Sequence, residues 1–248
     1  MSEQSFPSTV TIAVTTPVLP GREKPIALVS LDSTDPNGLV IWGSQAMRDL
    51  QRELSAIDTT QVEAVVVTGN QKSFGAGANL KEIRAAQLSG TSDEYVGSGH
   101  DAFGVLAEMD VPTFSLITGV ALGGGLELAL HTDYRLSTSG KAPMGLPECH
   151  LGFFPGWGGV HLLPHLVGAE AALNIIVTDS MRGKNLNPAK AAEIGLVDAV
   201  LEGAPGSEQW DTSWQNWVVE VLEGKHEPRR TTAVSYTHLR AHETEADL

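Results

Sequence analysis

Glu127 and Glu148 are the side chains here whose settings best suit chemistry. Glu127 sits in Gly119–His131 (GVALGGGLELALH), where a run of β-formers, Thr113–Thr118 (TFSLIT), gives way to good helix formers. Consecutive glycines at such a junction permit backbone angles that other residues avoid and keep side chains out of a ligand's way. The first N–H groups of a helix have no intrahelical partner and lie at its positive end. A glycine-rich strand-to-helix turn therefore suits an anion, or a carbonyl oxygen becoming one. Glu127 follows Gly124 by three residues, which places the carboxylate on the helix face of the Gly124 N–H. Taken alone, close packing of the turn would explain the glycines equally well.

A second donor is expected at Ala78. Ala64–Thr68 (AVVVT) reads as a buried strand of the parallel type, and the glycine-containing loop Gly69–Gly77 follows it. Asn79–Leu88 (NLKEIRAAQL) then reads as a helix, with Asn79 and Glu82 spaced as in a capping box. Ala78 falls just ahead of that helix with its N–H free to point outward. Glu148 lies in Gly145-Leu146-Pro147-Glu148, where the proline stiffens the approach. Two carboxylates beside two converging N–H groups would form an acid/base pair next to an oxyanion hole. Such a site suits additions or proton shifts beside an activated carbonyl. In a partly dry pocket, like-charge repulsion would also raise one of the two pKa values. Spacing alone leaves the ordinary alternative standing, two solvated surface glutamates.

Composition narrows the classes. With 248 residues, 42% of them hydrophobic, the chain can bury a substantial core. No apolar run reaches membrane-spanning length, and the first residues (MSEQSFPST) lack the basic and apolar regions of a signal peptide. The single cysteine, Cys149, excludes an intrachain disulfide framework and suits a cytoplasmic setting. A formal charge of −14 argues against nucleic-acid and anionic-membrane partners, though not against an anionic small molecule.

Repeated strand–loop–helix units predict an α/β fold with parallel strands, without an internal sequence repeat. Strands are expected at Ile26–Leu31, Tyr134–Ser137 and Gly195–Leu201, and helices at Ser44–Ile57, Asp101–Met109, Ala169–Val177 and after Asn187-Pro188. Residues 89–100 (SGTSDEYVGSGH) are polar and rich in glycine and serine, which predicts a flexible loop or lid, or a plain surface connection. His150–Gly159 (HLGFFPGWGG) is glycine-rich ahead of a helical segment. Ser213–Leu222 carries Trp214, Trp217 and Val218 on one stripe, expected to pack on the core or on a neighbouring subunit. In Ala233–Leu248 apolar periodicity vanishes. The string looks like translated sequencing-adapter read-through, a disordered polar tail being the alternative.

Four stretches in order, Phe74–Ile83 (FGAGANLKEI), Gly119–Tyr134, Gly145–Leu163 (GLPECHLGFFPGWGGVHLL) and Ala189–Asp198 (AKAAEIGLVD), resemble the crotonase, or enoyl-CoA hydratase/isomerase, superfamily. The resemblance implies a crotonase-like spiral of ββα units over residues 1–200, a shortened C-terminal helical region over 201–230, and a non-native or disordered tail over 231–248. It implies a coenzyme A thioester as substrate, with no separate cofactor and no metal. Ala78 and Gly124 would be the oxyanion-hole amides, Glu127 and Glu148 the two hydratase glutamates, and Gly156 a backbone group near the water. Backbone groups of Phe74, Gly75 and Ala76 would meet the adenine, and Lys81 would reach a CoA phosphate or ribose, a solvated helix lysine being its ordinary alternative. The family's helical C-terminal region packs subunits into trimers, so a homotrimer or a dimer of trimers is implied where that region suffices.

Both glutamates are present, which within the family favours hydration of a 2-enoyl-CoA over double-bond isomerisation. An isomerase or an acyl-CoA hydrolase on the same scaffold, and a silent acyl-CoA-binding module, are the alternatives. Asn79 replaces the family's usual aspartate, a mild change because both residues cap helices. Asp35–Gly43 (DPNGLVIWG) departs from the usual asparagine-alanine-leucine pattern. The N-terminal variation and Ala169–Ala199 look more like the hydratase part of multifunctional β-oxidation α-chains. There is no dinucleotide-binding glycine fingerprint to assign a dehydrogenase function. His161 and His165 share a metal-compatible spacing without a third ligand nearby, and Cys149 has no evident base.

Overall fold

Three valines, Val65, Val66 and Val67, lie at the centre of the molecule with no exposed surface, as β-branched side chains do in a parallel strand covered on both faces. The computed structural model describes residues 6–228. The tail Ala233–Leu248 lies outside the described residues. The large sheet contains β1 (Val10–Thr15), β2 (Ala27–Ser33), β3 (Val65–Thr68), β5 (Thr113–Ile117), β7 (Tyr134–Thr138) and β9 (Ala199–Leu201), in that spatial order. β1 pairs antiparallel with β2, and the other neighbours are parallel. β4 (Ser73–Gly75), β6 (Val120–Leu122) and β8 (Met144–Gly145) form a small parallel sheet.

Each turn of the chain lays one strand in the large sheet, one in the small sheet, and then a helix. β3 and β4 lead to α2 (Leu80–Ser89) and α3 (Ser92–Ala107). β5 and β6 lead to α4 (Gly124–Leu130). β7 and β8 lead to a 3-10 helix (Pro147–Leu151) and α5 (Gly159–Val167). This is the expected spiral of ββα units. The repeat lies in backbone pairing rather than in side chains, so it leaves no repeat in the sequence. α1 (Ser44–Ser55) precedes the first full turn. α6 (Ala169–Leu173), a π-helical segment (Asn174–Asp179), α7 (Pro188–Glu193) and α8 (Glu208–Leu222) complete the described chain.

Two apolar clusters hold these layers. One joins α1, α3 and α4 to the sheets through Trp42, Met47, Phe103 and Leu126. The other lies between the large sheet and α8, where Phe114, Leu116 and Leu136 meet Trp214 and Val218. Trp217 packs edge-on to Tyr134 with ring centroids 5.4 Å apart. The tryptophan stripe thus covers the outer face of the large sheet. A buried ion pair, Arg135 with Asp198 at 3.3 Å, ties β7 to the turn before β9.

The expectation of a flexible loop at 89–100 is corrected by the structure. The break is confined to Gly90 and Thr91, and from Ser92 onward the chain is helical. Tyr95, Gly99, Ala102, Phe103 and Leu106 make a buried stripe on α3. Of the two helical glycines in this stretch, Gly99 sits where another layer comes close, since a Cβ there would overlap the Trp157 indole, whereas a Cβ on Gly97 would meet open space. Tertiary packing overrides the poor helix propensity of SDEYVGSGH.

Candidate active site

Glu127 projects from the first turn of α4 and is 1% exposed. Its Oε1 accepts the backbone N–H of Trp157 at 2.7 Å and of Gly159 at 2.9 Å. Burial pushes its pKa up to about 7, against the opposing pull of those two amides. One helical turn on, His131 Nδ1 donates to the Glu127 carbonyl oxygen at 2.8 Å. The carboxylate is therefore fixed at both side chain and backbone.

Glu148 follows Pro147 at the start of the 3-10 helix and is 6% exposed. Its Oε2 has no hydrogen-bond partner among the described residues. Burial first, and then the charge of Glu127, push its pKa up to about 8. Its Oε1 approaches Gly123 so closely that a Cβ there would lie 2.6 Å away. Gly123 also has φ +52°, a region that side-chain-bearing residues rarely occupy. Glycine is required at 123 on both counts.

Ala78 and Gly124 line the same cavity as the two carboxyls. Trp42 N–H donates to the Gly77 carbonyl at 2.9 Å, and Asn79 N–H donates to the Trp42 carbonyl at 2.7 Å. Trp42 thus pairs with the residues on either side of Ala78, which leaves the Ala78 N–H without an acceptor among the described residues. Gly124 is the first residue of α4, so its N–H has no intrahelical acceptor either.

All four groups, with Gly156, line one cavity of about 160 Å³ whose walls include Tyr95, Phe153 and Trp157. Ala78, Glu148 and Phe153 also line a second cavity of about 330 Å³, which takes in Ala76 and Lys81. One space thus holds the carboxyls and donors, and a neighbouring one opens beside the first turn of α2. Phe74 and Gly75 are not brought to either cavity. The Phe74 side chain has no exposed surface, and Gly75 lies against the backbone of Gly125. Lys81 is exposed.

The sequence pointed to the carboxyls and the donors but missed the residues that hold them. Trp157 is 4% exposed and packs near Tyr95 and Phe103, both with ring centroids 5.7 Å away. A Cβ on Gly124 would overlap its indole. The signal was present as a tryptophan between glycines in FFPGWGG, but its contacts are remote in sequence. The spacing of Asn79 and Glu82 predicts half of a capping box for Glu82, and the structure gives it more to do. Its Oε1 accepts from Asn79 Nδ2 at 3.0 Å, and its Oε2 accepts from the Ser44 N–H and hydroxyl, each at 2.8 Å. Asn79 caps α2 as expected, accepting from the Lys81 N–H at 3.1 Å.

Elsewhere, His161 and His165 have ring centroids 5.0 Å apart. No group of three or more His, Cys, Asp or Glu residues is placed to hold a metal among the described residues. The partly buried Cys149 thiol is pushed above its ordinary pKa, mainly by burial and then by Glu148. That favours the protonated, unreactive form. No helix among the described residues is long and apolar enough to cross a membrane.

Two buried carboxyls, Glu127 and Glu148, share one cavity with Ala78 and Gly124 on a spiral of parallel strands. A family model for enoyl-CoA hydratase/isomerase matches residues 22–236, and the chain belongs to that family. It is 37% identical over 217 residues to the fatty acid oxidation complex subunit alpha of Shewanella halifaxensis, covering 82% of this chain and 30% of that protein. It is 39% identical over 170 residues to a mitochondrial methylglutaconyl-CoA hydratase of Pyricularia oryzae, covering 68% of this chain and 47% of that protein. Among solved structures, an enoyl-CoA hydratase of Thermoplasma volcanium superposes with a TM-score of 0.71 at 26% identity, over 92% of this chain and 81% of the other. One from Bacillus anthracis superposes with a TM-score of 0.68 at 27% identity, over 86% and 75%. The chain spans about a third of the length of the oxidation-complex subunit it matches.

Proposed function

We propose that this chain adds water across the double bond of a 2-enoyl-CoA thioester, the hydration step of fatty-acid β-oxidation. The observation that carries the reading is the convergence of Glu127 and Glu148, both buried, on the cavity lined by Ala78 and Gly124. The thioester oxygen is received by the two N–H groups, which stabilise the negative charge it gains as the β-carbon is attacked. Such donors each contribute about 3–4 kcal/mol where tested by mutation. Coenzyme A enters as part of the substrate, and Ala76 and Lys81 in the adjoining cavity are the residues we assign to it.

The two carboxyls take different parts because their surroundings differ. Glu127 is held by two amide donors that favour its charged form, so it accepts a hydrogen bond from the attacking water and aims its oxygen. Glu148, repelled by that charge and with one oxygen unpartnered, holds the proton. The water oxygen bonds to the β-carbon while Glu148 delivers its proton to the α-carbon. The water's surplus proton returns to the carboxyl pair, which ends the turnover as it began. We assign the Gly156 backbone a place near this water, a reading supported by its position in the lining of the same cavity.

We further propose a homotrimer or a dimer of trimers, or a module of a longer multifunctional chain, working in the cytoplasm. The longer oxidation-complex relatives support the module.

The product identifies the reaction. Crotonyl-CoA incubated with the protein should gain the mass of one water, as 3-hydroxybutyryl-CoA. An isomer of unchanged mass, free coenzyme A, or binding without turnover would instead assign an isomerase, a hydrolase or a silent acyl-CoA binder.

A further inference from the structure

The Ala78 N–H belongs to neither a helix nor a strand, so its direction depends on what restrains Trp42 and Asn79 on either side of it. Trp42 is fully buried, and its carbonyl oxygen accepts two hydrogen bonds, from the Asn79 N–H at 2.7 Å and from the Tyr95 hydroxyl at 3.1 Å. Tyr95 reaches it from α3, an element 53 residues away in the chain. Glu82 supplies the second restraint. Its carboxylate joins Asn79, directly after Ala78, to Ser44, the first residue of α1. It fills space beside Gly43 that a Cβ would occupy. Glu82 is 7% exposed, with both oxygens engaged.

We propose that Tyr95 and Glu82 are positioning residues that aim the Ala78 N–H at the substrate carbonyl, an inference that rests on the oxyanion-hole reading above. Tyr95 fixes the Trp42 carbonyl, and Glu82 fixes Asn79 against the start of α1. Neither needs to touch the reacting atoms to act. A donor displaced by a fraction of an ångström loses most of its hold on a developing oxyanion, although the chain around it remains folded. Tyr95 also lines the cavity of the two carboxyls. An acyl group seated there would press on the ring whose hydroxyl steadies the donor strand, coupling chain occupancy to carbonyl polarisation.

The test compares wild type, Tyr95→Phe and Glu82→Gln. Tyr95→Phe leaves the Trp42 carbonyl its bond from Asn79, so the variant should fold. Hydration of crotonyl-CoA is expected to lose about ten- to hundredfold in kcat with KM within about twofold. Butyryl-CoA labelled at the thioester carbonyl cannot be hydrated and reports polarisation through its infrared carbonyl stretch. Wild type should shift this band well below its position in solution, and both variants should return it part of the way. Variants that keep the wild-type kcat and carbonyl frequency while melting at lower temperature would assign Tyr95 and Glu82 to stability alone, overturning the proposal. A wild-type protein that binds butyryl-CoA without moving the band would overturn the oxyanion-hole reading itself.

Discussion

The Trp157 N–H donates to Glu127 Oε1 at 2.7 Å while the Trp157 indole presses on Gly124, so one residue fixes both a carboxyl and the helix start that carries a donor. Gly99 on α3 admits the other side of the same ring. Substituting Gly99→Ala should push the indole from its place. Overpacking of this kind costs about 1–3 kcal/mol. Hydration should fall further than stability accounts for, because the Trp157 amide moves with its ring. Chemical denaturation and kcat measured on the folded fraction separate the two effects.

The carboxyl pair sets the pH dependence of catalysis. With one proton shared, the active form lies between the ionisations near 7 for Glu127 and near 8 for Glu148. The rate profile kcat/KM against pH should therefore be a narrow bell, falling on both sides of a maximum between those values. Glu148→Gln should abolish the bell along with most of the rate.

Stability should carry the same signature with a definite sign. Both groups are raised from an ordinary value of 4.5, so the folded protein holds protons that the unfolded chain has released. Their contribution is fully present below that value and is lost as pH rises through about 7 and about 8. Each pKa unit corresponds to about 1.4 kcal/mol, so each of the two groups contributes a loss on the order of a few kcal/mol. The melting temperature should drop between about pH 5 and about pH 9, and Glu148→Gln should flatten that slope.

Away from the site, the Arg135–Asp198 pair is a structural tie, 2% and 7% exposed at the two side chains. Asp198→Asn removes a negative charge beside a buried guanidinium that also donates to the carbonyls of Leu196, Thr132 and Asp133. The expected cost is about 3–5 kcal/mol in urea unfolding, with kcat unchanged in the folded fraction.

How far the sequence revealed this arrangement depended on how local each signal was. The Asn79 cap, the valine-rich β3 and the glycine turn before Glu127 are written within a few residues, and each is legible there. β4, β6 and β8 were missed because strands of two or three residues carry no usable alternation. The second half of α3 is legible in Asp101–Met109, but its first half looks like a loop because Gly99 answers to Trp157, nearly sixty residues later. The glutamates could be named as candidates from their neighbours and from the family resemblance. Their convergence could not, since it depends on β6 and β8 pairing in the small sheet. Trp42 and Tyr95, which hold the Ala78 segment, share no local pattern at all.

The most direct test of the account is crotonyl-CoA hydration, followed as loss of the conjugated thioester absorbance, for wild type, Glu127→Gln and Glu148→Gln with circular dichroism as the control for folding. Both folded variants should lose about a thousandfold in kcat. Wild-type turnover surviving either substitution would contradict a shared role for the two carboxyls.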